Sequence, residues 1–300
     1  MSVLKTNKNR IKNSGILFYS LMILIPSVQF CIFYIGVNFN SILLAFKDYD
    51  AITGKYSWIG FANFERFIID LSAGNALAYA IKNSLIAYFV GLIVGTVLTL
   101  FFSYYIFKKK FLYNAYRIIL FLPSMLSAMV MTIIFGFLSG NVFPAIGLKD
   151  YLAEMSTQFG AILFFNIWVG FGTGVLLYSN SMSQVSQDVI EAGQIDGVNS
   201  LQEFFYIIMP GIFPTLSTFL ITGVAGIFIN QVNIFSFFAD AADIHIYTIG
   251  YYLFTKVVGG SASIATYPYA AAAGLLLTAV AVPITYGMKF ALEKFGPSED

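Results

Sequence analysis

Six stretches of the chain are almost continuously apolar, at residues 15–37, 83–107, 118–139, 160–178, 212–235 and 267–288. A helix needs about 20 mostly apolar residues to cross a bilayer. The pattern therefore predicts an all-α polytopic membrane protein with six transmembrane helices, built as one domain over residues 1–300. No Asp or Glu falls inside any run, and Lys82, Arg117 and Lys289 stand at run ends. The stretch 38–75 is different. It mixes Asp48, Asp50, Gly54, Trp58, Gly60 and Glu65 with aromatics, and it reads as a small folded extracellular cap, too polar to span.

Composition supports a lipid solvent. Hydrophobic residues make up 58% of the chain and charged residues 10%, with a mean hydropathy of +0.80. Soluble domains carry about 25% charged residues. The 32 Phe and 19 Tyr suit aromatic belts at the two interfaces. The net charge of +1 leaves no broad basic face for nucleic acid. The single cysteine, Cys31, and single histidine, His245, build neither a disulfide framework nor a Cys/His metal cluster. Cys31 reads as a buried, inert thiol, and the bulky Phe30 before it argues against a cleaved lipoprotein signal. His245 reads as a surface or capping residue. The stripe Ala270, Gly274 and Thr278 reads as close helix packing.

Basic residues set the orientation. Lys5, Lys8, Arg10 and Lys12 precede the first run; Lys108, Lys109, Lys110 and Arg117 join the second to the third; Lys289 and Lys294 follow the sixth. With six spans these segments share one side, so both termini are expected in the cytoplasm. The connection between runs four and five has no Lys or Arg and is neutral on this point.

That connection carries the strongest local signal. It reads QDVIEAGQIDGVNSLQEFFYIIMPGIFP over residues 187–214. Ser186 is placed to cap a short helix, and Asp188 sits in its first turn, where a carboxylate meets the positive end of the helix dipole. Gly197 is placed to stop it, because glycine tolerates the left-handed backbone. Leu201, Phe204, Phe205 and Ile208 give a second amphipathic piece. Such a helix either lies on the membrane surface or docks into a partner's groove. The lack of Lys and Arg counts against an anionic bilayer.

Glu191-Ala192-Gly193, Asp196-Gly197, Phe205, Ile208, Pro210 and Pro214 resemble the EAA loop of ABC importer membrane subunits. In that family the loop forms a coupling helix seated in a cleft of the ATPase. The resemblance makes 186–210 the coupling loop, with Glu191, Ala192, Gly193, Asp196 and Gly197 as its ATPase-coupling residues. Gly193 and Val198 stand where alanines are common, Ser186 where proline is usual and Met209 where leucine is usual. Trp58-Ile59-Gly60-Phe61 with Asn63-Phe64, Lys82-Asn83-Ser84, Phe121-Leu122-Pro123 and Asn166-Ile167-Trp168 look like the carbohydrate-importer branch. The pattern is similar to the maltose-importer membrane subunit family, without its additional N-terminal spans. It implies the type I ABC importer permease fold, in a bacterial inner membrane. The implied partners are a second homologous permease subunit, two cytoplasmic ATPase subunits, an extracellular solute-binding protein, membrane lipid and a sugar. ATP and Mg would be held by the ATPase, with no cofactor on this chain.

Asn166, Gly170 and Thr173 share one helical face, and Asn230, Gln231 and Asn233 crowd the fifth run. An amide in hydrocarbon needs a hydrogen-bond partner. These amides either join helices or line a passage, with Trp168, Phe171 and Phe228 as aromatic faces for a sugar. The resemblance puts Asn166, Val169, Gly170 and Thr173, and more loosely Gln231, at sugar-holding positions. Thr173 replaces an aromatic residue there, and Ala239-Asp240-Ala241-Ala242-Asp243 replaces a usual Gly-Gly-Pro turn.

The chain has no G-x-x-x-x-G-K-[ST] phosphate loop and no H-E-x-x-H. Acidic residues, which proton-coupled carriers commonly use, are missing from the runs, and no inverted repeat is visible. The expectation is a non-enzymatic membrane subunit of an ATP-driven importer for a sugar, with an oligosaccharide favoured. The alternatives are an ABC importer permease for a non-sugar solute and a stand-alone ion-coupled carrier.

Overall fold

The computed structural model describes residue 16 and residues 18–74, 76–259 and 262–297. Lys5, Lys8, Arg10, Lys12 and the predicted start of the first span at Gly15 lie outside the described residues. Among the described residues, these elements follow in order, besides a 3-10 turn at Ile244–Ile246: α1 (Phe18–Leu44), β1 (Lys47–Asp50), β2 (Lys55–Trp58), α2 (Ala62–Ser72), α3 (Ala76–Phe107), α4 (Tyr113–Met125), α5 (Ala128–Ala145), α6 (Met155–Met182), α7 (Gln187–Ile195), α8 (Ser200–Gly211), α9 (Phe213–Ala225), α10 (Ile234–Phe238), α11 (Ile249–Val257) and α12 (Tyr267–Phe295). Among the described residues, α1, α3, α5, α6 and α12 are each long and apolar enough to cross a membrane. A sixth span is present if α8 and α9, bent by 71°, count as one. The helical polytopic class expected from the apolar runs is the class observed, with the hairpin as its exception.

The contacts divide the chain into two units. The first joins the chain up to Phe67 with Ile264–Leu275. Here α1 continues to Leu44, past the predicted end at 37. Cys31 is exposed on this helix, which corrects the expectation of a buried thiol. The polar stretch after α1 is folded: β1 and β2 pair antiparallel with Lys47 opposite Trp58 and Asp50 opposite Lys55. The turn is held by the Asp50 carboxylate, which accepts from Thr53 Oγ1 at 2.7 Å and from the Ile52 N–H at 2.9 Å. These bonds, that from Thr53 first, hold the Asp50 carboxyl below the usual carboxylate range. Buried Asn63 donates to the carbonyls of Ala45 and Lys47 at 3.1 and 2.7 Å, tying α2 to the root of the hairpin.

The second unit comprises Ile68–Ser263 and the chain from Leu276 onward. Its frame is α6, with α3 along one side and α4 along another. The contact with α4 is tight at Gly172, where a methyl would overlap the Leu120 carbonyl. The run predicted to span 118–139 is two helices. Ser127 turns extended (φ −64, ψ 145) and its hydroxyl caps α5 by accepting from the Val130 N–H at 3.3 Å. That local bond offers the backbone an alternative to continued helix, so the crossing helix begins at Ala128. The run predicted at 212–235 is helical only to Ala225, followed by turns and then α10. Asn230, Gln231 and Asn233 therefore lie beyond the helix predicted to carry them.

Candidate functional site

The helical part of the segment between α6 and α9 opens at Ser186. This residue takes the N-cap position of α7 without a side-chain hydrogen bond, contrary to the expected cap. Asp188 lies in the first turn, and Gln187 Nε2 donates to Glu191 Oε1 at 3.1 Å across one turn. The helix ends as the glycine predicts. Gly197 has φ +80, a left-handed conformation that costs a larger residue about 1–2 kcal/mol. The Val198 N–H donates to the Gly193 carbonyl at 3.0 Å. A capping box then restarts the chain as α8, with Asn199 Oδ1 accepting from Gln202 N–H at 3.0 Å and Gln202 Oε1 accepting from Asn199 N–H at 3.0 Å.

Burial sorts this segment into an anchor and an outer surface. Ile190 and Gly193 are buried, whereas Glu191, Ala192, Asp196 and Gly197 are exposed. Ile190 joins Leu100 of α3, Tyr178 and Met182 of α6, and Ile208, Ile212 and Leu216 in one apolar cluster. Outward lie Val189, Ile195, Leu201, Phe205 and Tyr206, all large apolar or aromatic side chains.

A second anchor escaped the sequence reading. Glu203, 4% exposed, accepts from Lys108 Nζ through both carboxylate oxygens, at 2.8 and 2.9 Å. The Tyr104 hydroxyl lies 3.2 Å from the same carboxylate and 3.0 Å from the Ser200 carbonyl. The end of α3 is thus clamped to α8. A buried carboxylate in a helix start was the available signal, but its partner lies 95 residues away.

The amides gather elsewhere, around a cavity of about 440 Å³ bounded by α3, α6 and the chain after α9. Asn166, Gly170, Thr173 and Asn230 line it, with Thr96, Thr99 and Phe171. Asn166 Nδ2 donates to the carbonyls of Ile162 at 2.8 Å and Val232 at 2.7 Å, and its Oδ1 accepts from Asn233 Nδ2 at 2.7 Å. This amide therefore both joins elements and faces the cavity. Gln231 and Asn233 are half-buried but do not line it. Trp168 and Val169 turn away from the cavity and pack around Phe135, Phe165 and Phe237.

The loop that supplies Asn230 is strained. Val232 has φ 44 and Asn233 φ 57, and a left-handed β-branched residue is an outlier. Such strain costs about 1–3 kcal/mol per residue and persists only where surroundings enforce it. Here Asn230 Oδ1 accepts from the Val232 N–H at 2.8 Å, and Asn166 holds the Val232 carbonyl. Gly250 of α11 lies against the backbone of Ile229 and Asn230, where a methyl would overlap. His245 sits beyond this loop, its backbone N–H on Asp243 Oδ1 at 2.9 Å and its ring edge-on to Tyr79 at 4.7 Å, as befits a turn residue.

Five helices long and apolar enough to cross a membrane, with an exposed helical segment following one of them, define a polytopic membrane protein among the described residues. Residues 87–294 match the family of binding-protein-dependent transport system inner membrane components, and the chain belongs to that family. Among curated relatives, the probable starch degradation products transport system permease protein AmyD of Thermoanaerobacterium thermosulfurigenes is 26% identical over 67% of this chain and 66% of its own length. The maltose/maltodextrin transport system permease protein MalF of Escherichia coli (strain K12) is 25% identical over 62% of this chain and 40% of its own length. The matched stretch is thus two thirds or less of either relative. In fold, the chain resembles a bacterial ABC transporter involved in import of the acidic polysaccharide alginate, with a TM-score of 0.75, 21% identity, and coverage of 95% of this chain and 98% of that one. The resemblance read from the 186–214 motif and the apolar frame thus leads to the right family.

Proposed function

We propose that this chain is the membrane-spanning subunit of an ATP-driven importer, passing a sugar, with an oligosaccharide favoured, along the amide-lined cavity. The coupling loop 186–210 would be gripped by a separate ATPase. The observation that carries the reading is the division of that loop: Ile190 and Glu203 hold it to α3 and α6, while Glu191, Asp196 and five large apolar or aromatic side chains stay outside. An exposed amphipathic helix is the form that docks into a partner's groove. Family membership and the carbohydrate transport named for AmyD and MalF support the solute class.

In this reading a second homologous permease completes the passage, two cytoplasmic ATPase subunits bear on the two coupling loops, and an extracellular binding protein delivers the solute. ATP and Mg reside on the ATPase, and this chain is no enzyme. Both termini and α7 lie on the cytoplasmic side. ATPase closure would move α7 and shift the passage between inward- and outward-facing states, because ATP binds one arrangement better than the other. Copurification of the tagged chain from native membranes tests the assembly. Recovery of a nucleotide-hydrolysing subunit, with ATP-dependent uptake of labelled oligosaccharide, is the expected result. Labelling of a cysteine placed at Gln194 from outside intact cells would overturn the arrangement.

A further inference from the structure

Asn83 and Ser84, near the start of α3, are both buried polar residues. Asn83 commits its amide hydrogens to backbone far along the chain, donating to the carbonyls of His245 at 2.7 Å and Tyr247 at 2.9 Å. Ser84 Oγ accepts from the Ile249 N–H at 2.9 Å, satisfying a donor that the first turn of α11 leaves open. The 3-10 turn and α11 are thereby fastened to the first part of α3.

The fastened segment holds the strained loop in turn. Gly250 of α11 stands so close to that loop that a Cβ would lie 2.2 Å from the Ile229 carbonyl oxygen and 2.8 Å from the Asn230 carbonyl carbon. One residue on, the hydroxyl of buried Tyr251 donates to the carbonyl of Ala239, a residue at φ 47, at 2.6 Å. Backbone in such a conformation persists only where its surroundings enforce it. Tyr251 and Ile246 also share one apolar cluster with Val232 and Ile234. The side chain placed by this arrangement is Asn230. It borders the 440 Å³ cavity and also a smaller one of about 240 Å³ that adjoins it, with Gly91, Thr96 and Phe219 common to both. Asn83 borders neither.

We propose that Asn83 and Gly250 are positioning residues for the passage: Asn83 fixes residues 245–249 to α3, and Gly250 then seats Asn230 in the wall shared by the two cavities. The inference rests on the proposed function and adds to it residues that never meet the solute.

The test uses the intact assembly in cells, with the gene for this chain deleted and restored. The probes are radiolabelled trisaccharides of glucose, xylose, galactose and mannuronate. With the probe best taken up, Asn83→Ala should raise the half-saturating concentration about fivefold with little change in maximal rate. Asn230→Ala should raise it as well. The combination should be no worse than Asn230→Ala alone, because a residue that acts through Asn230 has nothing left to position once that amide is gone. A buried amide that only stabilised the fold would instead lower accumulation and maximal rate, and its effect would add. Gly250→Ala pushes the loop from α11, should behave like Asn83→Ala, and carries the test if that variant fails to accumulate. Hydrogen exchange on the unmodified assembly should show residues 229–233 and 245–249 opening as one unit. Additive effects, an unchanged half-saturating concentration in an accumulating variant, or separate opening of the two segments would overturn the inference and leave the proposed function standing. No chain-dependent uptake of any probe would overturn both.

Discussion

The segment from α7 to α8 and the loop after α9 are both polar interruptions of an apolar chain, yet they are held by opposite means. The first uses charge: Glu203 and Lys108 meet through two short bonds, and Glu191 and Asp196 remain outside. The second uses no charge at all. Asn233 donates to Asn166, while Asn166 and Asn230 hold the backbone carbonyl and N–H of a strained Val232. A charge is tolerated where it has a counter-ion or water. Neutral amides hold a shape without needing a counter-ion. The comparison teaches that two polar interruptions of one apolar chain can be held in place by different polar chemistry.

The contrast is open to attack, beginning with the charge clamp. Glu203→Ala strands Lys108 against Tyr104, and breaking a buried pair from one side costs about 3 kcal/mol. Thermal unfolding of the solubilised assembly should show a clear loss, largely recovered when Lys108→Met is combined with Glu203→Leu. An unaltered melting point for Glu203→Ala would remove the clamp from the account. Next, Gly197→Leu forces a leucine into a left-handed turn at about 1–2 kcal/mol, reshaping the outer end of α7. Under the proposed coupling role, uptake should fall by about tenfold while nucleotide hydrolysis continues. Retained uptake would contradict that role. Asn166→Ala should cost about 1 kcal/mol and speed hydrogen exchange at residues 230–234, because the Val232 carbonyl loses its donor. Unchanged exchange would mean that the loop is held by other contacts. The smallest effect is expected at Gly193. A methyl there would lie 2.6 Å from Ile207 Cδ1, the free end of a flexible side chain. Gly193→Ala should therefore shift stability by less than about 0.5 kcal/mol, and a larger loss would show that α7 is packed more rigidly than its single buried isoleucine suggests.

What could be read from the residues was local. Apolar runs located the crossing helices, and the spacing from Glu191 to Gly197 located the stop of α7, because hydrophobic burial and left-handed backbone leave marks at single positions. Boundaries set by competition were less legible. Ser127 ends one helix and caps the next, and Asn230 captures the Val232 N–H where an apolar run promised continued helix. Pairs distant in sequence were invisible: Lys108 with Glu203, and Asn166 with Val232. Periodicity put Asn166, Gly170 and Thr173 on one face, and all three line the cavity. It could not turn Trp168 and Val169 away from that cavity, because that depends on where Phe135 and Phe237 arrive.

The bend at Ile212 has a mechanical meaning. With Pro210 and Pro214 on either side, α8 and α9 meet at 71° like the two arms of a bell crank. Phe219 of the second arm borders both cavities and Gly223 borders the smaller one, so under the proposed coupling role a thrust along the first arm would emerge as a swing of the second. Such a stroke would reach the cavity walls on α9 through the bend, without either helix having to unwind.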